Sequence, residues 1–341
     1  MEQLVYYYPH GHEKHYQVGH PERPERVDTI VRTLQDSGLW DSFPKVKPSE
    51  IDLTAITSVH SLDYLRQLEI ACRHGDPLDM DTYTTPSSWE LALNTAAGAT
   101  AVADAVWRRQ AKRGFALTRP PGHHATSKHG MGFCLINNVA VAADWLIHAH
   151  SVQRLAILDF DLHHGNGTQE IFWERSDVFY ISTHQMPLYP GSGYLDEIGG
   201  GKGKGYTANF PLPPGSGDMA FHNLLNEIIL PLLNRVQPQM LLISYGFDPH
   251  WRDPLGHLQL SARQYGELIR SLTEWSDVFC EGKIALFLEG GYDLESAKAC
   301  SIAVVKALLG MAFDDPLGPA PREEGRSWMK LVEQAKQIWQ I

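Results

Sequence analysis

Four short apolar runs in this chain each end in a cluster of reactive side chains, and this pairing constrains the fold more than any other feature. Phe115-Ala116-Leu117 leads to Pro120-Pro121-Gly122-His123-His124, and Leu155–Leu158 leads to Asp159-Phe160-Asp161-Leu162-His163-His164. Leu241–Ser244 leads to Tyr245-Gly246-Phe247-Asp248, and Leu286–Leu288 leads to Glu289-Gly290-Gly291-Tyr292-Asp293. Apolar runs this short read as buried strands, and the longer helical patterns between them give the form of a parallel-sheet α/β protein. Strands are predicted at Leu4–Tyr8, Gly114–Thr118, Arg154–Asp159, Val178–Ser182, Met240–Ser244 and Ile284–Glu289. Helices are predicted at Glu25–Ser37, Ser88–Arg109, Asn138–Ala149, Met219–Asn234, Ala262–Phe279 and Leu294–Leu309. Ser87, three residues before Glu90, predicts a capping box, and Ser327–Trp339 predicts a C-terminal helix. Ligands of open parallel sheets bind beyond the carboxyl ends of the strands, so the four clusters should converge on one site.

The bulk properties narrow the class. A chain of 341 residues is long enough for a sizeable core. A formal net charge of −11 argues against direct nucleic-acid binding, which rests on neutralising phosphates with Lys and Arg. Cys72, Cys134, Cys280 and Cys300 are far apart with no CxxC spacing, which favours reduced thiols over disulfides or a cysteine-zinc site. No signal-like or membrane-spanning apolar stretch is present, so a cytoplasmic protein without a membrane partner is expected.

The clusters suit metal-assisted hydrolysis. Alternate residues of a strand share a face, so Asp159, Asp161 and His163 can point the same way. Asp and His are ligands for zinc or ferrous iron, and a catalytic zinc needs three protein ligands and an open position. Asp161, His163 and Asp248 supply such a set. His123 and His124 are candidates for acid–base work, with Asp159 and Asn166 as orienting acceptors. One acceptor is ionised and the other neutral, so the two histidines are expected to differ in protonation state. Tyr292, after two glycines, can bring its hydroxyl close to a ligand and donate to an oxyanion. Singly, each residue has an ordinary structural role as cap, loop or core residue. Together at one sheet edge, they favour a site.

These motifs resemble the zinc-dependent histone deacetylases, more narrowly the class II type and its bacterial histone-deacetylase-like amidohydrolases. The likeness rests on Arg119-Pro-Pro-Gly-His-His-Ala125, Gly132-Phe133-Cys134, Asp159–Thr168, Gly246-Phe247-Asp248, Asp253-Pro-Leu-Gly256 and Glu289-Gly-Gly-Tyr292. It runs from about His20 to roughly residue 312, so residues 1–341 are read as a single deacetylase domain. The resemblance implies a three-layer α/β/α arginase–deacetylase fold with a central, mainly parallel eight-stranded sheet. It implies zinc on Asp161, His163 and Asp248, His123 bonded to Asp159, His124 bonded to Asn166 and acting as base, and Tyr292 polarising the amide carbonyl. It also implies acyl-lysine channel walls at Phe133 and Tyr189, with Gly132 facing the methylene chain and Leu255 at the rim. Structural potassium would sit at an inner site of Asp159, Asp161, His163, Ser182 and Thr183, and at an outer one of Phe172, Arg175, Val178 and Tyr206. Arg26 would line an internal channel for departing acetate. The class II form carries Asn at the Asn166 position, whereas class I usually carries Asp. Class IIa proteins replace the tyrosine with histidine, so Tyr292 implies an efficient deacetylase.

The implied reaction is hydrolysis of an N-acetyl amide to amine and acetate, on an acetyl-lysine peptide or a small acetylated amine. Polyamine-selective relatives often carry Glu where this chain has Leu255, which favours acyl-lysine. The alternatives are an acetylpolyamine amidohydrolase, an arginase-like ureohydrolase with two manganese ions, and an inactive acyl-lysine-binding scaffold. His250-Trp251 is unusual after the aspartate ligand and is expected to change pocket shape. His10-Gly-His12-Glu-Lys-His15 is expected to form a mobile loop near the pocket mouth, and Asp81 is a candidate for the acidic rim.

Overall fold

The computed structural model describes residues 1–48 and 53–341. Its strands are β1 (Glu2–Tyr7), β2 (Ala111–Ala116), β3 (Leu155–Asp159), β4 (Val178–Gln185), β5 (Thr207–Leu212), β6 (Leu241–Tyr245) and β7 (Ile284–Leu288). They form one sheet in the order β1-β2-β7-β6-β3-β4-β5, and every pairing is parallel. The helices are α1 (Glu25–Asp36), α2 (Leu53–Thr57), α3 (Leu62–His74), α4 (Ser88–Trp107), α5 (Asn138–His150) and α6 (Asn166–Phe172). They continue with α7 (Asp218–Leu224), α8 (Leu230–Val236), α9 (Ala262–Phe279), α10 (Leu294–Leu308) and α11 (Trp328–Trp339).

Alternation along the strands sorts the core into two halves. Leu4, Tyr6, Ala156 and Leu158 join one apolar cluster with α1 and α7–α11, whereas Val5, Tyr7, Leu155 and Ile157 join a second with α3, α4 and α5. Successive strand residues point to opposite faces, so these are the two faces of the sheet, and the fold has three layers. Each fully buried Leu or Ile contributes on the order of 2 kcal/mol, which is why strands apolar on both faces are stable only between helices.

Eight strands were expected, and the described residues form seven. At the β1 edge the place of a further strand is taken by a single bridge, Tyr6 to Lys45. Pro44 and Pro48 flank that bridge and lack the N–H a ladder requires. Strand β5 is absent from the expected set because it is an edge strand with a polar start and Pro211 inside it. Helix α3, also absent from that set, is capped by Ser61, whose hydroxyl accepts Tyr64 N–H. The Ser87 capping box does not form. The neighbouring Ser88 hydroxyl instead accepts Thr85 N–H and meets His15 Nδ1 at 2.6 Å. The helix expected over Met219–Asn234 is α7 and α8 joined by a π-helical turn at Leu225–Ile229. The C-terminal helix is present and buries Trp328, Leu331, Val332, Ala335 and Trp339. Among the described residues no helix is long and apolar enough to cross a membrane.

Strand order decides the site. β2, β7, β6 and β3 are consecutive in the sheet, and their register aligns Ala116 with Phe287, Tyr245 with Leu288, and Ser244 with Asp159. The four reactive clusters therefore leave the sheet side by side.

Candidate active site

The loop after β3 winds its polar side chains around its own backbone. Asp161 N–H donates to Asp159 Oδ1 at 3.2 Å, and His163 N–H donates to Asp161 Oδ1 at 2.8 Å. Neighbouring loops close the set: Leu162 N–H donates to Asp248 Oδ1 at 3.1 Å, and Gly290 N–H donates to Asp161 Oδ2 at 2.8 Å. One donor atom each from Asp161, His163 and Asp248 thus lie within 4.8 Å of one another.

This trio has the electrostatics of a cation site. Asp161 and Asp248 are buried, and Asp248 Oδ2, 3.3 Å from His163 Nδ1, accepts no well-formed hydrogen bond among the described residues. A Cβ on Gly290 would lie 2.1 Å from that oxygen and 2.7 Å from Asp161 Oδ2, so only glycine leaves room for the carboxylates to converge. Burial pulls the His163 imidazole down, but Asp161 and Asp248 outweigh it and raise its pKa to about 9. Burial and the Asp161 charge push Asp248 up to about 6. Two carboxylates that draw a proton onto the imidazole between them are a pair short of positive charge. Two oxygen donors and one nitrogen donor with an uncommitted oxygen fit zinc or ferrous iron.

The paired histidines have different partners. His123 Nδ1 lies 3.0 Å from Asp159 Oδ2, whose carboxylate also accepts the Tyr180 hydroxyl at 3.1 Å. Burial disfavours charge on His123, yet Asp161 and Asp159 prevail and raise it to about 10. His124 Nδ1 lies 2.7 Å from Asn166 Oδ1. Burial, then the positive charges of His123 and His163, hold His124 well below its ordinary pKa. With Nδ1–H donated to the amide oxygen, the Nε2 lone pair of His124 is free to take a proton. The two imidazoles are thus shifted in opposite directions, His123 up and His124 down.

A cavity of about 240 Å³ reaches this set. It is lined by Gly132, Phe133, Leu188, Tyr189 and Leu255, with His123, His124, His163, Gly290 and Tyr292 at depth and Asp81 at the rim. The Tyr292 ring stands edge-on to Phe133 at 5.8 Å, and the Arg26 guanidinium lies 4.8 Å from its centroid. Arg26 Nε donates to Gly291 O at 2.7 Å, which holds the guanidinium beneath the tyrosine loop. Burial, opposed by Arg26 and assisted by Asp248 and Asp161, holds the Tyr292 phenol well above its ordinary pKa, so it is a donor.

Among the residues named for potassium, Ser182 pairs with Asp159 across β3 and β4, and Thr183 Oγ1 lies 3.5 Å from Asp159 O. Arg175 N–H donates to Phe172 O, its guanidinium binds Asp144 and Asp177, and Val178 and Tyr206 flank that corner at the starts of β4 and β5. His250 and Trp251 do not line the cavity. Trp251 Nε1 donates to Gly318 O at 3.2 Å and its ring stacks on His250, so the pair braces a neighbouring loop. His12 and His15 are buried, bonded to the Tyr8 and Ser88 hydroxyls, and serve packing in place of a mobile loop.

Two buried carboxylates carry structural roles that the motifs alone do not disclose. Glu289 Oε2 accepts Gly122 N–H at 2.7 Å and His123 N–H at 3.1 Å, while Oε1 accepts the Ser244 hydroxyl at 2.9 Å. It ties the histidine loop to the end of β7. Glu22 binds Arg119 Nε at 2.8 Å and Arg26 Nη1 at 3.1 Å. A Glu beside Gly-Gly at a strand end and an acidic residue in an Arg-rich loop were the available signals.

Residues 20–308 match the family described as the histone deacetylase domain. The chain belongs to the histone deacetylase family. It is 42% identical over 294 residues to a probable deacetylase of Archaeoglobus fulgidus, covering 85% of this chain and 82% of that one. It is 36% identical over 307 residues to a histone deacetylase-like amidohydrolase of Pseudomonas aeruginosa, covering 88% and 80% respectively. The crystal structure of the HDA15 HD domain superposes with a TM-score of 0.90 at 32% identity, covering 99% of this chain and 95% of that one. The three-layer α/β fold is therefore that of a histone deacetylase, and the chain is a member of a deacetylase and amidohydrolase family.

Proposed function

We propose that this histone deacetylase relative is a zinc-dependent enzyme that removes acetyl groups from lysine side chains. The observation that carries this reading is the cavity itself. It is walled by Phe133 and Tyr189 and lined beyond them by His124, Tyr292 and His163, the last of which belongs to the Asp161, His163 and Asp248 cluster. Such a passage suits a methylene chain that ends in an amide.

Asp161, His163 and Asp248 would hold the metal; bound there, zinc supplies a Lewis acid that polarises the amide carbonyl and lowers the pKa of water. His124 Nε2 accepts the proton of the attacking water. Tyr292 donates to the oxygen that gains negative charge as the carbonyl carbon becomes tetrahedral. His123, held charged by Asp159, keeps a positive field beside the site and favours the neutral form of His124. Proton return to the departing amine comes from a histidine, and Arg26 at the foot offers a cation to the acetate product. Asp159, Ser182 and Thr183, with the Asp161 and His163 carbonyls, would hold a potassium ion, and Phe172, Arg175, Val178 and Tyr206 frame a second one. Leu255 places an apolar side chain on the channel wall, where the second ammonium of a polyamine would favour a carboxylate. The four cysteines are buried free thiols, which suits a reducing compartment such as the cytoplasm.

Side-by-side turnover of an acetyl-lysine peptide and acetylated polyamines, with zinc or ferrous iron supplied, tests the reading. The peptide should be the better substrate by kcat/KM, and chelation should abolish turnover until metal is restored. Preference for the polyamine would make the chain a small-amine amidohydrolase. No turnover of either with either metal would overturn the proposal.

Asn166→Asp provides a finer check. An ionised partner in place of a neutral amide raises the His124 pKa, so the acid limb of kcat/KM should move up by about 1 pH unit or more. An unmoved limb would remove His124 from the role of base.

A further inference from the structure

Asp253 lies outside the metal set, yet its side chain reaches the loop that carries Tyr292. Oδ2 accepts Tyr292 N–H at 2.7 Å and Asp293 N–H at 3.2 Å, and Oδ1 accepts Leu255 N–H at 3.0 Å. Asp253 is buried, 6% exposed. One side chain therefore joins the loop after β6, which supplies the channel wall at Leu255, to the loop after β7, which supplies Tyr292.

From that side the tyrosine loop is also held at its two ends, by Phe247 N–H donating to Gly290 O at 3.1 Å and Arg252 Nε donating to Asp293 Oδ1 at 3.1 Å, but neither bond reaches the Tyr292 peptide itself. Gly291 has φ +112, and a Cβ there would lie 2.7 Å from Phe247 Cβ, so the turn is made by a residue with no side chain to anchor it. Arg26 grips the Gly291 carbonyl from below. Asp253 grips the next peptide N–H from the opposite loop. Between these two bonds the Tyr292 Cα, and with it the direction of the phenol, is defined. Among the described residues no hydrogen bond of the Asp253 side chain reaches the cavity floor; its bonded link to the site is the Tyr292 backbone, beside a through-space repulsion with Asp248.

We propose that Asp253 is a positioning residue that aims the Tyr292 hydroxyl at the reacting carbonyl. The proposal rests on the reading of Tyr292 as oxyanion donor. Asparagine at this position offers one acceptor oxygen where the carboxylate offers two, so it cannot serve Leu255 and the tyrosine loop together. A displacement of the donor by about 1 Å is enough to cost about 10²-fold in rate.

The experiment is a double-mutant cycle on the metal-loaded chain, with kcat, KM and metal content measured for Asp253→Asn, Tyr292→Phe and the double variant. Asp253→Asn should lower kcat by about 10²-fold with KM and metal content little changed. In the Tyr292→Phe background it should lower kcat no further, because the hydroxyl it aims is gone. If Asp253→Asn does not fold, Asp253→Ser, smaller and still hydrogen-bonding, serves in the same cycle. Multiplying losses in the double variant, or a loss confined to KM, would overturn the proposal. Full turnover by Tyr292→Phe alone would instead overturn the reading of Tyr292.

Discussion

Replacing Tyr292 by phenylalanine is expected to lower kcat by about 10²- to 10³-fold while the metal stays bound at full stoichiometry. The hydroxyl is not among the donors that converge on the cation site, which come from Asp161, His163 and Asp248. Phenylalanine preserves the ring between Phe133 and Arg26, and the backbone contacts of the loop involve no phenolic oxygen. On the proposed mechanism, what is lost is one preorganised donor, its phenol held well above its ordinary pKa, facing a position where charge develops only in the transition state. Such a loss falls on kcat and leaves KM nearly unchanged. Steady-state kinetics and metal analysis on the same sample decide the matter. Equal loss of turnover and metal would show that Tyr292 supports the metal site and does not act on the substrate.

Glu22→Ala is expected to destabilise the protein by about 3–5 kcal/mol, the range for removing one partner from a buried ion cluster. Glu22, Arg26 and Arg119 are all buried, and the Glu22 carboxylate is shared by both guanidiniums. Arg119 also donates to the His12 and His15 carbonyls, so this cluster ties the N-terminal loop and α1 to the loop that carries His123. Alanine would leave two cations facing each other without their anion. The sign with pH follows from linkage. Burial raises the Glu22 pKa, but Arg119 and Arg26 overcome it and lower it to about 2, against an ordinary value of 4.5. The stabilisation is therefore complete above about pH 4.5 and disappears as pH falls towards 2. Denaturant unfolding of both proteins across that window should show the difference in stability shrinking on acidification. A cost below about 1 kcal/mol at neutral pH would mean the cluster is not holding these loops together.

Much of the fold was legible because its signals are local. The central strands are continuous apolar runs, and α1, α9 and α11 are amphipathic with a clear period, whereas α4 and α5 are apolar nearly all round. The elements that escaped were those in which local signals are weak or divided, such as Pro-containing β5 at the sheet edge. The Ser87 capping box failed for a similar reason: Ser88 competes for the same turn, and its hydroxyl has a distant partner in His15. An eighth strand was carried over from a fold pattern, and two prolines reduce it to one bridge.

By itself, the sequence determined which residue types are available for the proposed chemistry: two aspartates and a histidine suited to a cation, an imidazole with a neutral amide in reach, a phenol after two glycines. It also determined that these groups leave the ends of buried strands. Tertiary structure alone decided which contacts hold them at working distance. Asp253 meets Tyr292 across 39 positions of sequence, Glu289 meets His123 across 166, and Arg119 meets Glu22 across 97. No periodicity or spacing encodes such pairs. They follow from the sheet placing β2, β7, β6 and β3 side by side, which brings remote loops within hydrogen-bonding distance where water is excluded and most polar groups find a partner.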